Sequence, residues 1–192
     1  MNQELILASE SQYKKNILKR LEIAFTTDAP AIDESPQGCE SARALSERLA
    51  QAKAETVADR HPDAIVISTD QSAEVDGVIL GKPATIENAC AMLQKLSGQT
   101  VSFFTSVGVI APKQPCITYT EEVIVTLREL DPLEIERYVI KDMPLDCAGS
   151  FKVESLGISL FTSVKSEDPT ALEGLPLIKL CQWLRDQGFK IP

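Results

Sequence analysis

Residues 64–69 read Ala-Ile-Val-Ile-Ser-Thr, a β-branched run without polar alternation. A strand with one wet face alternates apolar and polar side chains, so this run predicts a strand buried on both faces, in a sheet with helices packed over each side. The fold class expected is therefore α/β. Asp70 follows at the carboxyl end of the predicted strand. Ligands of open α/β sheets collect at that edge, which makes an acid there a stronger functional candidate than an acid on a helix surface. With 192 residues the chain has room for a substantial core, and one domain over residues 1–192 with a cleft between two lobes is the expected organisation.

The flanking sequence supplies the other elements. Leu5–Ala8 is a short apolar run; Ser9 and Ser11 follow, and Ile17, Leu18 and Leu21 then recur at helical spacing, which reads as strand, polar turn and helix. Such a helix start presents free N–H groups to a phosphate, although for an isolated S-x-S taken alone a simple hydroxyl cap is the favoured reading. Residues 27–40 hold prolines, Gly38 and the pair Asp33-Glu34, an extended loop before a helix from Ser41 to Asp59 that carries Lys53 beside its apolar face. Val75-Asp76-Gly77 marks a turn. Gly81-Lys82-Pro83 leads to a helix over 86–96 with Thr85 as its cap, and it lacks the glycines of a P-loop. Residues 101–110 and 117–127 form a hairpin, Asp131-Pro132-Leu133-Glu134 is a capping box, and strands are expected over 151–154 and 158–164. A last helix starts at Gly174-Leu175-Pro176 and ends before Gly188, with Leu177, Leu180, Cys181 and Leu184 facing inward.

Composition excludes several classes. A formal net charge of −9 repels DNA and RNA, so no nucleic-acid partner is expected, while a few converging lysines still suit a small phosphate ester. The start MNQELILASE has no basic leader and no long apolar run occurs, so a cytoplasmic protein without membrane association is expected. Five scattered cysteines without C-x-x-C spacing indicate neither a disulfide framework nor a thiolate zinc site, and His61 as the single histidine leaves little room for a Ser-His or Cys-His nucleophile.

Read together, the pieces form an ordered series: L-I-L-A-S-x-S, D-E, R-L-A-x-x-K-A, T-D-Q, G-K-P with a helix to L-S-G, A-G-S-F and G-L-P-L. The chain resembles the Maf family of septum-formation-inhibitor-like nucleotide pyrophosphatases over nearly its whole length. The segments P-L-D-C-A-G-S-F-K-V-E and D-P-T-A-L-E-G-L-P-L-I-K-L-C look closest to its 7-methyl-GTP branch. The resemblance implies an elongated mixed β-sheet flanked by helices, with a deep nucleotide cleft like that of inosine triphosphatase, often in a homodimer. It implies that Asp70 is the catalytic acid-base residue, and that Ser9, Lys14, Lys53 and Lys82 bind substrate phosphates. Glu34 and Asp70 would hold a divalent cation, Mg²⁺ or Mn²⁺, while Tyr13, Gln71 and Glu154 would choose the base. The chain departs from the family pattern where Gln12 replaces a proline and Lys14 an arginine, which keeps the charge but loses the planar fork that fits a phosphate.

These residue types suit the chemistry. Water attacks a phosphoryl centre slowly because its oxygens repel the nucleophile, so a metal on two carboxylates, fixed ammonium groups and a general base are what the reaction needs. The implied substrate is a nucleoside triphosphate, cut between its α and β phosphates. Two alternatives stay open: a dTTP or UTP pyrophosphatase of the same fold, for which an arginine in place of Tyr13 and a glutamine in place of Glu154 would argue, and a non-catalytic nucleotide-binding regulator of cell division.

Overall fold

The computed structural model describes residues 4–192; Met1–Gln3, where the stretch read as leaderless begins, lie outside the described residues. Among those described, seven strands form one mixed sheet. Its order is β2 (Thr26–Thr27), β1 (Leu5–Leu7), β3 (Ile65–Val75), β5 (Thr100–Ile110), β6 (Ile117–Leu127) and β7 (Phe161–Lys165), with β4 (Val78–Leu80) paired to β3. β1 runs parallel to β2 and β3, and the other pairs are antiparallel. The helices are α1 (Gln12–Lys19), α2 (Ala42–Ala58), α3 (Ile86–Leu96), α4 (Pro132–Asp142) and α5 (Leu177–Asp186).

Because side chains along a strand point alternately to opposite faces, β1 and β3 feed two cores at once. Leu5, Leu7, Ile65 and Ile67 meet Ile17 and Leu18 of α1 and Leu177, Leu180 and Leu184 of α5. Ile6, Ala8 and Val66 meet Val57 of α2 on the other side. A third cluster joins Phe103, Val123 and Val125 of the long hairpin to Leu93 of α3 and Ile135 and Val139 of α4. The expectation of an α/β sheet covered on both faces therefore holds. Cys181 is only half-buried at the edge of α5.

Local chemistry accounts for the element ends. Ser41 and Thr85 accept from Ala44 and Asn88 N–H as N-caps, and Asp131 and Glu134 form the reciprocal capping box of α4. Asp76 (φ 49°) and Gly77 (φ 74°) take the two left-handed positions of the β3–β4 hairpin turn, where a glycine is favoured.

The structure departs from the sequence expectations at two places. The strand that was expected to end at Thr69 continues to Val75, so Asp70 sits within it, opposite Ser106 of β5, rather than at its carboxyl end. The partner explains this: β5 supplies backbone pairing from Val66 to Glu74 and carries the strand through a polar stretch. Residues 151–154 are irregular rather than a strand. Ser150 turns left-handed (φ 61°) after Gly149 (φ 74°), and the chain then doubles back so that Gly157 N donates to Lys152 O at 2.9 Å. Residues 156–160 form a 3₁₀ turn, which delays the following strand to Phe161.

One close approach seats α2. A Cβ on Gly108 of β5 would stand 2.8 Å from Ser68 Oγ and 3.2 Å from the helix carbonyl Ala50 O. Ser68 Oγ donates to that carbonyl in the middle of the helix, and Glu74 accepts from Ala42 N at 3.1 Å at its N-terminus. Gly108→Ala is expected to cost about 2 kcal/mol through overpacking. Urea denaturation measures it, and an unchanged midpoint would show that α2 is free to retreat.

Candidate active site

One edge of β3 is interrupted. β1 pairs with it from Ile65 to Ile67 and β4 from Ala73 to Val75, which leaves Ser68–Ser72 bordered by no strand on that side among the described residues. A cleft of about 720 Å³ opens over this notch, walled by the β1–α1 turn, residues 29–36, α2, β4 and residues 146–154 and 172–174. Strand alternation divides its chemistry. Ser68, Asp70 and Glu74 reach towards α2, whereas Thr69 and Gln71 reach the opposite layer, where Thr69 Oγ1 donates to Gly174 O at 2.8 Å. Asp70 and Gln71, adjacent in sequence, thus serve opposite sides of the notch.

The α2 side holds the charge cluster. Lys53, 5% exposed, donates from Nζ to Asp70 Oδ1 at 2.6 Å and to Glu34 Oε1 at 2.9 Å. Burial opposes its charge, yet the two carboxylates outweigh burial and hold its pKa above the ordinary lysine value. For Glu34 desolvation is likewise overcome, by the Lys53 hydrogen bond and the charges of Lys53, Lys14 and Lys82, and its carboxyl stays below the usual range. Lys14 Nζ donates to Thr69 O at 2.6 Å; burial first, and then repulsion by Lys53, push it down to about 8. Lys82 is exposed on the cleft wall. Ser9 Oγ accepts from Ser11 N at 3.1 Å, which leaves its own proton for a ligand, and Ser11 makes no side-chain bond as cap of α1.

Two carboxylates meeting at one ammonium, with cleft space beside them, form an oxygen donor set of the kind Mg²⁺ takes when substrate phosphates and water complete its shell. Among the described residues no group of three or more His, Cys, Asp or Glu side chains gathers, so an ion here would depend on such outside oxygens.

The opposite side holds Tyr13, half-buried, with Lys152 Nζ 5.8 Å from its ring centroid. Glu154 is exposed at the rim, where desolvation, and beyond it the Glu173 carboxylate, raise its pKa. Gln71 donates to backbone carbonyls of the 171–172 segment. All nine residues singled out in the sequence line this one cleft: Ser9, Tyr13, Lys14, Glu34, Lys53, Asp70, Gln71, Lys82 and Glu154.

Sequence reading missed several participants. Lys152 stood within a quoted motif, and its charge was the available signal. Arg48, which donates to Glu40 at 2.8 Å and to Ser35 O at 3.1 Å, fixes the loop beside Glu34. Thr105 is one threonine among many in a long strand, and the carbonyls that hold Gln71 are backbone acceptors, which leave no trace in residue types.

The chain matches the family described as Maf-like protein over residues 4–187. It is 51% identical, over 194 positions covering 100% of both chains, to a 7-methyl-GTP pyrophosphatase of Xanthomonas oryzae pv. oryzae. A 7-methyl-GTP pyrophosphatase of Pseudomonas aeruginosa is 46% identical over 98% of this chain and 99% of its own. Among solved structures, the Ham1 protein of Staphylococcus aureus aligns with 97% of this chain and 100% of its own at a TM-score of 0.57 and 16% identity, a likeness of fold.

Removing Lys53 strands a buried carboxylate. Lys53→Met is expected to lower stability by roughly 3 kcal/mol, and Lys53→Met/Asp70→Asn to recover more than half of that loss. Urea midpoints of the wild type, both single variants and the double variant test the coupling, and additive losses would refute it.

Proposed function

The chain belongs to the Maf family, and from that premise we propose that it hydrolyses 7-methyl-GTP between the α and β phosphates, releasing the nucleoside monophosphate and pyrophosphate. The observation that carries the reading is the Lys53 ammonium bridging Asp70 and Glu34 in a cleft that Lys14 and Lys82 also line. The names of the Xanthomonas and Pseudomonas relatives support the substrate.

The reaction forms a bond from water oxygen to the α-phosphorus and breaks the bond from that phosphorus to the bridging oxygen. Asp70 Oδ1 is taken by Lys53, while Oδ2 accepts no hydrogen bond from the described residues and is not sealed from the cleft. Oδ2 is therefore the atom that takes the proton from the attacking water, and Lys53 fixes the orientation of the carboxylate. Glu34 and Asp70 would hold Mg²⁺ or Mn²⁺, which when bound supplies charge neutralisation on the phosphate oxygens. Lys14, Lys82 and the Ser9 hydroxyl bind the phosphate chain and balance charge that accumulates on the departing pyrophosphate.

The base end suits a cation. Methylation at N7 places positive charge on guanine, which an aromatic face attracts and a carboxylate complements. Tyr13 already carries the Lys152 ammonium over its ring, and Glu154 stands at the rim. None of the helices among the described residues is long and apolar enough to cross a membrane.

Asp70→Asn is expected to lower kcat at least ~100-fold with the fold retained. With Mg²⁺ or Mn²⁺ and a panel of triphosphates, chromatography of the products should give monophosphate plus pyrophosphate, fastest from 7-methyl-GTP. Release of orthophosphate, or much faster turnover of dTTP or UTP, would overturn the reading. A pH effect also follows from Lys14, whose ammonium must be charged to hold a phosphate. Since it loses its proton near pH 8 in the free protein, kcat/KM should fall as pH rises through about 8. Lys14→Arg should flatten that alkaline limb; identical limbs in both proteins would remove Lys14 as its cause.

A further inference from the structure

Gln71 is held by one end of its amide. Nε2 donates to Thr105 Oγ1 at 2.9 Å, to Ala171 O at 3.0 Å and to Leu172 O at 3.1 Å. Thr105 is fully buried, and its hydroxyl proton goes to Ala171 O at 2.8 Å, so towards Gln71 its oxygen can only accept. Three acceptors thus converge on one end of the amide. A rotated amide would set Oε1 against two carbonyls and a hydroxyl with no proton left to give, so the surrounding network assigns nitrogen and oxygen without ambiguity.

The acceptors are themselves anchored. Asp168 Oδ1 accepts from Thr170 N at 2.9 Å and Oδ2 from Ile178 N at 2.7 Å, which ties the 168–172 turn to the start of α5. Glu121 Oε1 in turn accepts from Asp168 N at 3.1 Å. At the free end, Gln71 Oε1 has no hydrogen-bond partner among the described residues. It is also not sealed away, since Asp142 Oδ2 alone is a buried side-chain polar atom without a partner there. Gln71 lines the cleft, so a lone acceptor faces the space a nucleotide base would fill.

We infer that Thr105 is a positioning residue for base selection: with the 171–172 carbonyls it locks Gln71 as an acceptor, and the cleft selects bases that bring an N–H donor to it. This rests on the pyrophosphatase reading above. Guanine and 7-methylguanine carry donors at N1 and on the 2-amino group, whereas adenine shows an acceptor and a C–H at those two positions. An analogue without the donor leaves an acceptor desolvated and unpaired, and such sites discriminate strongly.

The wild-type protein tests the polarity with GTP, ITP (no 2-amino group) and 2-aminopurine riboside triphosphate (no N1–H), by pyrophosphate release. At least one analogue should fall about tenfold or more in kcat/KM, and a smaller fall for both overturns the lock. Thr105→Val, or Thr105→Ala if valine prevents folding, should erase most of that preference through KM with little change in kcat, while Thr105→Ser keeps it. A uniform loss on all three nucleotides with the preference intact would mean that Thr105 only packs, and would overturn its positioning role. If no nucleotide is hydrolysed, the pyrophosphatase reading fails separately, and the same ratios measured as Kd by calorimetry still decide the lock.

Discussion

The cleft depends on β3 running on after β1 has stopped beside it. From Ser68 to Ser72 the strand is paired on its β5 side and open on the other. An exposed strand edge presents unpaired backbone groups and is ordinarily a liability. Here the edge faces the cleft, and Thr69 O takes the Lys14 ammonium. The two-residue period of the strand then does the sorting, because it sends Asp70 to α2 and Gln71 to the 171–174 segment. On the proposed reading, phosphate chemistry and base selection are separated by one peptide bond.

Positive charge is concentrated at one place in the cleft. Lys14, Lys53 and Lys82 gather around Glu34 and Asp70, while the remaining carboxylates of the cleft, Glu10, Asp146, Glu154 and Glu173, keep its lining acidic as a whole, in line with the formal −9 of the chain. Lys53 is largely neutralised by its two carboxylates, so on the proposed reading Lys14 and Lys82 are the ammonium groups left for a phosphate chain. The lysine at position 14 matters for this reason. An arginine would stay charged at any physiological pH, whereas a desolvated lysine beside another cation gives up its proton more readily.

Glu34 reaches the cluster from a segment without regular structure, and side chains supply the order that backbone pairing does not. Arg60 donates to Asp28 at 2.9 Å and to Ala29 O at 2.7 Å at one end of that segment. Arg48 bonds Glu40 and Ser35 O at the other. Each pair is at least partly open to solvent and contributes little alone. Their effect is to limit the directions from which the Glu34 carboxylate approaches Lys53.

Much of this was legible in residue order. The unalternating run at 64–69, the caps at Thr85 and Asp131, the Asp76-Gly77 turn and the paired runs of the long hairpin are local patterns, and local sterics and hydrogen bonding decide them within a few residues. The motif series also placed all nine candidate residues in what proved to be one cleft. Where β3 ends was not legible, because a polar Asp-Gln-Ser stretch becomes strand only through pairing with β5, more than thirty positions away. The stretch 151–154 looked extended but turns back on itself, since Gly149 and Ser150 adopt left-handed geometry that residue type alone does not force. Residue order alone specifies most of the element types and the chemical character of the side chains that line the cleft. Tertiary structure alone decided which carboxylate oxygen is free, which lysine is desolvated and which end of the Gln71 amide faces the cleft, because each depends on partners distant in sequence and, at Gln71, on backbone carbonyls that every residue carries alike.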